Sequence, residues 1–236
     1  ERQKLKYSFH SKSNLKGGKI YLDYASSALS TSANPGAIHA LGVKEKNKLE
    51  ESRATIAKIL NAQRGEIVFT SGATESNNLA ILGSVYAAQA KNSSIVPHVL
   101  TTNIEHASVL EVCKHLEKTR QAVVTFVPVE ENGIVAVKKI KEALRPNTIL
   151  VSVMYANNEI GTIQPIREIA KEIRHHNKMN LKKASLNDPS VGRAFFHIDA
   201  TQAVNYLSIN VAELGVDMLS MNGAKIYGPK GIGALY

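Results

Sequence analysis

Short apolar runs separated by helix-patterned segments constrain this fold more than any other feature of the chain. Residues 67–70, 99–102, 122–127, 148–154, 194–199, 216–220 and 232–236 each read as a strand, with 20–24 as a further short one. Between them the spacing changes to that of helices. Leu49, Ile56 and Leu60 share one face of a helix over 42–60. Val109, Cys113 and Leu116 do the same over 105–118. A turn at 71–76 opens a helix through Ala90, and another helix covers 137–144. Pro165 opens the next, with Ile166, Ile169 and Ile173 on one side. Asn34-Pro35-Gly36 is a turn, and the polar stretch 181–192, with Asn187-Asp188-Pro189, reads as a loop. Strands alternating with helices indicate an α/β layer fold around a mostly parallel sheet. The 67–70 strand is expected to be buried.

Composition narrows the function classes. At 236 residues, 44% hydrophobic and 21% charged, the chain can bury a real core in the manner of a soluble domain. No apolar run approaches membrane-spanning length, so no membrane partner is expected. The first 18 residues form a basic arm (Arg2, Lys4, Lys6, Lys12, Lys16) without the apolar core of a secretory signal. The expected compartment is therefore the cytoplasm, with a mitochondrial-type compartment left open. The net charge is +9, but lysines alternate with acids, as over 44–51, and the chain has no Trp. That pattern describes solvated helix faces, so an anionic ligand or protein partner ranks ahead of nucleic acid, which is not expected. A single cysteine, Cys113, excludes an internal disulfide and any metal site built from several thiolates. No metal is expected.

In open α/β sheets ligands bind beyond the carboxyl ends of the strands. Those ends carry the chemistry-bearing residues here. Ser71-Gly72-Ala73-Thr74-Glu75-Ser76 is a glycine turn feeding a helix N-terminus, suited to an anion or to a plain cap. His106, after the 99–102 strand, can stack on a flat ring or move a proton, or simply face solvent. Asn157-Asn158 follows 148–154. Asp199 closes the next strand as a shielded carboxyl in need of a partner, or as a helix cap. Lys225 sits between the glycine turns Asn222-Gly223 and Gly228-Pro229, where a restrained lysine can act as a nucleophile. Lysine, aspartate, histidine and an anion turn together are the parts needed to hold pyridoxal 5′-phosphate, with the aspartate keeping the pyridine nitrogen protonated.

The motifs Tyr21-Leu22-Asp23-Tyr24, Thr70-Ser71-Gly72-Ala73-Thr74-Glu75-Ser76-Asn77-Asn78, Glu105-His106, Asn157-Asn158-Glu159-Ile160-Gly161, His197-Ile198-Asp199-Ala200-Thr201-Gln202 and Lys225-Ile226-Tyr227-Gly228-Pro229-Lys230-Gly231 closely resemble those of the cysteine desulfurases. These are class V aminotransferase-like, fold-type I pyridoxal phosphate enzymes, and the match is to the iron–sulfur-cluster group. The resemblance runs from about Lys19 to the end. It implies a three-layer large domain over 19–236, with the C-terminal small domain expected to be incomplete or absent. It further implies that Lys225 binds the cofactor covalently and later moves protons, and that His106 stacks on the ring and assists. Asp199 would pair with the pyridine nitrogen, Gln202 and Asn157 would bond the phenolic oxygen or substrate, and Ala73, Thr74 and Asn222 would face the phosphate. The family converts L-cysteine to L-alanine and passes sulfur to an enzyme cysteine as a persulfide. Members are usually homodimers that serve a sulfur-acceptor protein.

Three departures accompany the match. Asn222-Gly223-Ala224-Lys225 stands where the family has Ser-Gly-His-Lys, which removes a phosphate contact at Ala224. The region between Tyr24 and Asn34 is short. The part bearing the persulfide cysteine is absent, and Cys113, on the apolar face of its helix, is expected to be core. A selenocysteine lyase or another class V enzyme is the alternative within the cofactor class. A catalytically degenerate scaffold or partner subunit is the alternative outside it.

Overall fold

The computed structural model describes residues 33–92, 95–183 and 193–236. The basic arm, the 20–24 strand and residues 184–192 of the expected loop lie outside them. The chain divides into two units, 1–53 and 54–236, with the division inside helix α1 (Ala40–Leu60). In the first unit the Asn34 side chain accepts from the Gly36 N–H at 2.8 Å, which closes the expected turn. On α1, Lys48 pairs with Glu45 and Arg53 with Glu50, each one turn away. Such pairs contribute well under ~1 kcal/mol each.

The second unit is built on one seven-stranded sheet. Its strands are β1 (Val68–Thr70), β2 (His98–Thr102), β3 (Val123–Val127), β4 (Thr148–Met154), β5 (Phe195–Asp199), β6 (Met218–Asn222) and β7 (Gly233–Leu235). Their spatial order is β1-β7-β6-β5-β4-β2-β3. The run from β3 through β2, β4 and β5 to β6 is parallel. β7 is antiparallel to both of its neighbours, so β1 points the same way as the parallel five. The sheet is thus mostly parallel and mixed, as the alternation of strands and helices predicts.

β4 is buried along nearly its whole length, which is why 148–154 reads as a continuous apolar run, and β2 is buried throughout although His98, Thr101 and Thr102 are polar. Helices α2 (Ala73–Lys91) and α3 (Ala107–Lys118) cover one face. There Ile81, Val85, Val109, Cys113 and Leu116 pack on Val99 and Leu150. Helices α4 (Val137–Ala143), α5 (Ile166–Lys183) and α6 (Val211–Leu214) cover the other. There Ile140, Ile166, Ile169, Ile173 and Leu214 join Leu100, Val151, Val153, Phe196 and Ile198. Among the described residues no helix is long and apolar enough to cross a membrane.

Four details differ from the sequence reading. β1 is an edge strand rather than a buried one, and Val68 is 47% exposed because a single neighbour, β7, flanks it. β6 starts two residues later than expected and runs on to Asn222, because the Asp217 carboxylate turns back to accept from the Phe196 N–H at 2.9 Å. Residues 181–183 complete α5 instead of opening a loop. The four-residue α6, too short for any periodicity, is held by Asn210, whose side chain accepts from the N–H groups of Ala212 and Glu213.

β7 returns close to the turn that precedes α2. A Cβ on Gly233 would lie 2.6 Å from the Gly72 Cα and 2.8 Å from the Met221 carbonyl oxygen, both backbone atoms that cannot swing aside. Gly233→Ala is therefore expected to destabilise the fold by roughly 1–3 kcal/mol in urea unfolding. Gly65→Ala, where an added Cβ meets nothing within 4 Å, is the neutral control. Equal midpoints for the two variants would contradict this packing.

Candidate active site

The strand order reverses between β2 and β4, so the loops leaving their carboxyl ends diverge and open a crevice. A cavity of about 130 Å³ lies there. Ala73, Thr74, His106, Asp199, Gln202, Asn222 and Lys225 all line it, brought from the ends of β1, β2, β5 and β6. Asn157 does not line this cavity. Its Oδ1 accepts from the N–H groups of Glu159 and Ile160, and its Nδ2 donates to the Ile104 carbonyl at 3.0 Å. The amide is thereby spent on holding the 157–161 turn against the loop after β2. Asn158 lines the cavity instead, together with Ser108 and Thr201, none of which the sequence singled out. For two adjacent asparagines the strand-end position is common to both, so only the turn geometry separates the pair.

Asp199 is 5% exposed, and both its carboxyl oxygens accept hydrogen bonds. Oδ1 takes the Thr201 N–H at 2.9 Å, which opens the turn over 201–206. Oδ2 takes Asn77 Nδ2 at 2.8 Å, a side chain that reaches across from α2. Residues 201–206 are turns rather than the helix that the capping reading of Asp199 expects, and both donors on its carboxylate are neutral. His106 is the N-cap of α3, with its Nδ1 accepting from the Ser108 N–H at 3.1 Å.

Lys225 ends a single 3-10 turn, Gly223–Lys225, directly after β6. Asn222 caps that turn through Oδ1, which accepts from the Ala224 N–H at 3.1 Å. The loop is pinned by backbone bonds from Gly223 N–H to the Ile232 carbonyl and from Gly228 N–H to the Gly223 carbonyl, both 2.9 Å. Asn205 Nδ2 also donates to the Lys225 carbonyl. The lysine thus sits on a fixed backbone despite the glycines around it. At the start of α2 no side chain caps the helix N-terminus, which leaves its dipole available to an anion. The neighbouring Glu75 carboxylate is bonded by the Ser71 hydroxyl and the Ser71 N–H, which hold its pKa below the ordinary value.

Behind this wall lie titratable groups that sequence alone left unassigned. Glu105 is buried, and its Oε1 accepts from Thr102 Oγ1 at 2.5 Å and from the Met154 N–H at 2.9 Å. One carboxyl oxygen therefore joins the end of β2 to the end of β4. Oε2 has no hydrogen-bond partner among the described residues. Burial pushes the Glu105 pKa up to about 8 against the pull of those two bonds, so the group is mostly protonated at neutral pH. His197, fully buried between the Ser152 and Ser220 hydroxyls, is pushed down by burial, and so is His98, to about 4. Cys113 is fully buried in the α2–α3 core, and burial raises its pKa to about 12, so its thiol is inert as expected. Among the described residues no cluster of His, Cys, Asp or Glu could hold a metal ion.

A mostly parallel α/β sheet with a restrained lysine, a buried aspartate and an open helix N-terminus at its switch point defines a class. The chain belongs to the aminotransferase class-V family, whose sequence model matches residues 18–236. Within that family its relatives are cysteine desulfurases. It is 41% identical over 232 residues to the cysteine desulfurase IscS of Dictyoglomus turgidum, covering 92% of this chain and 54% of the relative. It is 44% identical over 203 residues to the cysteine desulfurase IscS 1 of Archaeoglobus fulgidus, covering 86% and 47%. Among solved structures it resembles SspA in complex with cysteine, with a TM-score of 0.75 and 40% identity over 86% of this chain and 53% of that one. A NifS-like protein also superimposes with a TM-score of 0.75, at 34% identity over 86% and 51%. The chain spans about half the length of the curated relatives it matches.

Glu105 sets a pH dependence. Between an ordinary value near 4.5 and about 8, the folded chain keeps a proton that the unfolded chain releases, so stability falls as pH rises through that window. The slope from this one group approaches ~1.4 kcal/mol per pH unit. His98 acts oppositely and lower: the unfolded chain holds a proton that the folded one rejects, so stability rises between about 4 and 6.5. Glu105→Gln is expected to flatten the loss of urea midpoint between pH 6.5 and 8. An unchanged slope in the variant would place that proton elsewhere.

Proposed function

We propose that this chain is the cofactor-binding large domain of a pyridoxal 5′-phosphate-dependent cysteine desulfurase. In this reading L-cysteine loses its sulfur and leaves as L-alanine. The sulfur passes to an enzyme cysteine as a persulfide, for iron–sulfur cluster or thio-cofactor synthesis. The observation that carries the proposal is the convergence of Lys225, Asp199, His106 and the uncapped α2 N-terminus on one cleft. The family membership and the cysteine desulfurase relatives support it.

The residues present fit the cofactor. The α2 N-terminus, with the Ala73 and Thr74 backbone and the Thr74 hydroxyl, suits a phosphate dianion. Asn222 spends Oδ1 on Ala224 and keeps Nδ2 as a donor toward that site, while Ala224 itself offers no side-chain bond. Asp199, shielded from water and fixed by Asn77 and Thr201, suits a protonated ring nitrogen. Pyridoxal phosphate, when bound, supplies a conjugated ring that accepts the electrons left on the substrate's α-carbon.

The protein's own groups do the rest. Lys225 would hold the cofactor covalently and is the amine placed to move protons at the substrate's α-carbon. His106, which lines the cavity, would cover the ring face. Gln202 and Asn158, in place of the Asn157 named from sequence, supply directional hydrogen bonds. Cys113 takes no part, because its thiol is buried and protonated. The persulfide thiol therefore lies outside residues 1–236. A homodimer, a sulfur-acceptor protein and a cytoplasmic location belong to the same proposal. A cofactor-free scaffold is the second reading, and Ala224 favours it.

The test is the visible absorption of the purified protein before and after pyridoxal phosphate, then after L-cysteine. A yellow species that changes with cysteine is the expected result, and a protein that takes up no cofactor leaves the scaffold. Lys225→Ala should remove the cofactor band, and an unaltered spectrum in that variant would sink the assignment. Ala224→His is expected to tighten cofactor binding about fivefold or more, as one added hydrogen bond to a charged group would. No change would mean that Asn222 already serves that oxygen.

A further inference from the structure

Asp199 and His106 stand on different strand ends, yet a continuous hydrogen-bond chain joins them. Asn77 Nδ2 donates one N–H to Asp199 Oδ2 at 2.8 Å and its other to Ser108 Oγ at 2.9 Å. Ser108 Oγ lies 2.9 Å from His106 Nδ1, and the Ser108 backbone N–H points at the same nitrogen from 3.1 Å. Donor and acceptor roles along this chain are forced. A backbone N–H can only donate, so Nδ1 must be an acceptor and carries no proton. Ser108 Oγ already accepts from Asn77, so its own O–H is free to donate, and Nδ1 is the acceptor in reach.

The orientation of the Asn77 amide is forced as well. The reversed amide would set Oδ1 against an Asp199 oxygen and would offer Ser108 an acceptor, drawing its proton away from His106. The orientation adopted leaves Asn77 Oδ1 buried without a partner among the described residues. A buried polar atom left unpaired calls for an explanation. The explanation here is that two donors are needed on the other side of the amide.

We propose that Asn77 and Ser108 are positioning residues that transmit the acceptor character of Asp199 to His106 and lock its imidazole as the Nε2–H tautomer. The ring lines the cleft, and Nε2 has no partner among the described residues, so His106 meets a ligand as a hydrogen-bond donor. Its identity as a donor to a bound ring or substrate rests on the function proposed above, and the relay itself does not. In the resting state His106 then offers an Nε2–H for hydrogen bonding, and its one lone-pair nitrogen, Nδ1, is already engaged by Ser108. The first proton removed from a substrate falls to another group, and Lys225 is the amine that shares the cleft.

Long-range proton–nitrogen spectra of protein labelled with nitrogen-15 histidine, recorded without cofactor, read the tautomer directly. The His106 signals are assigned by their loss in His106→Gln. The expected result is the Nε2–H pattern in the parent. Ser108→Ala and Asn77→Leu should each move the tautomer ratio toward Nδ1–H by roughly fivefold, the effect of one lost hydrogen bond. Combining them should add nothing, and Ser108→Thr, which keeps the hydroxyl, should retain the parent ratio. An Nδ1–H or doubly protonated ring in the parent overturns the relay even if no variant folds. Unchanged ratios in both variants, or additive shifts in the pair, overturn it too. Cofactor uptake is followed separately by absorbance. An Nε2–H signal in a protein that binds no pyridoxal phosphate removes the functional reading and leaves the relay standing.

Discussion

Parallel pairing of buried strands governs this molecule. Because β2, β4, β5 and β6 run the same way in register, Thr102, Met154, Asp199 and Asn222 all arrive at one edge of the sheet. Helices cover both faces, so the polar atoms at that edge are cut off from water and must find partners inside the protein. Nearly all do. Thr102 and the Met154 N–H share Glu105, Asp199 takes Asn77 and Thr201, and Asn157 closes its own turn. The cleft is the gap left where the order of connections reverses, and its walls are the residues that satisfy this edge.

The partners so assembled are not neutral spectators. Glu105 holds a proton in a place where a charge would be costly, while His98 and His197 refuse one for the same reason. The low-polarity core thus selects uncharged forms of both acids and bases a few residues from a cavity lined by a lysine and an aspartate. A site with so few mobile charges behind it presents a fixed field to whatever binds. Among the described residues three buried side-chain oxygens at this wall, Glu105 Oε2, Asn77 Oδ1 and Thr201 Oγ1, have no hydrogen-bond partner.

Much of this was legible in the sequence, and the reasons differ element by element. The buried strands and the inward faces of α3 and α5 followed from periodicity, because burial on both sides or on one stripe leaves a pattern in any sequence. The placement of Lys225, Asp199 and His106 followed from the rule that strand ends carry function. What escaped was information held by geometry alone. The exposure of Val68 depends on β1 having one neighbour. That Asn158 and not Asn157 lines the cavity depends on a turn. Asn77 and Ser108 sit inside helices, where an asparagine or serine looks like an ordinary polar residue. Glu105 was passed over because it adjoins the histidine that drew attention. No local pattern distinguishes a carboxylate that faces solvent from one that staples two strands.

The buried thiol of Cys113 has a practical side. It is the sole cysteine of the sequence, it has no exposed surface, and it is protonated at any ordinary pH. Within residues 1–236 thiol-reactive reagents therefore find a silent background on the native fold. A cysteine engineered at the surface of residues 1–236 for a probe would be counted against zero from this stretch.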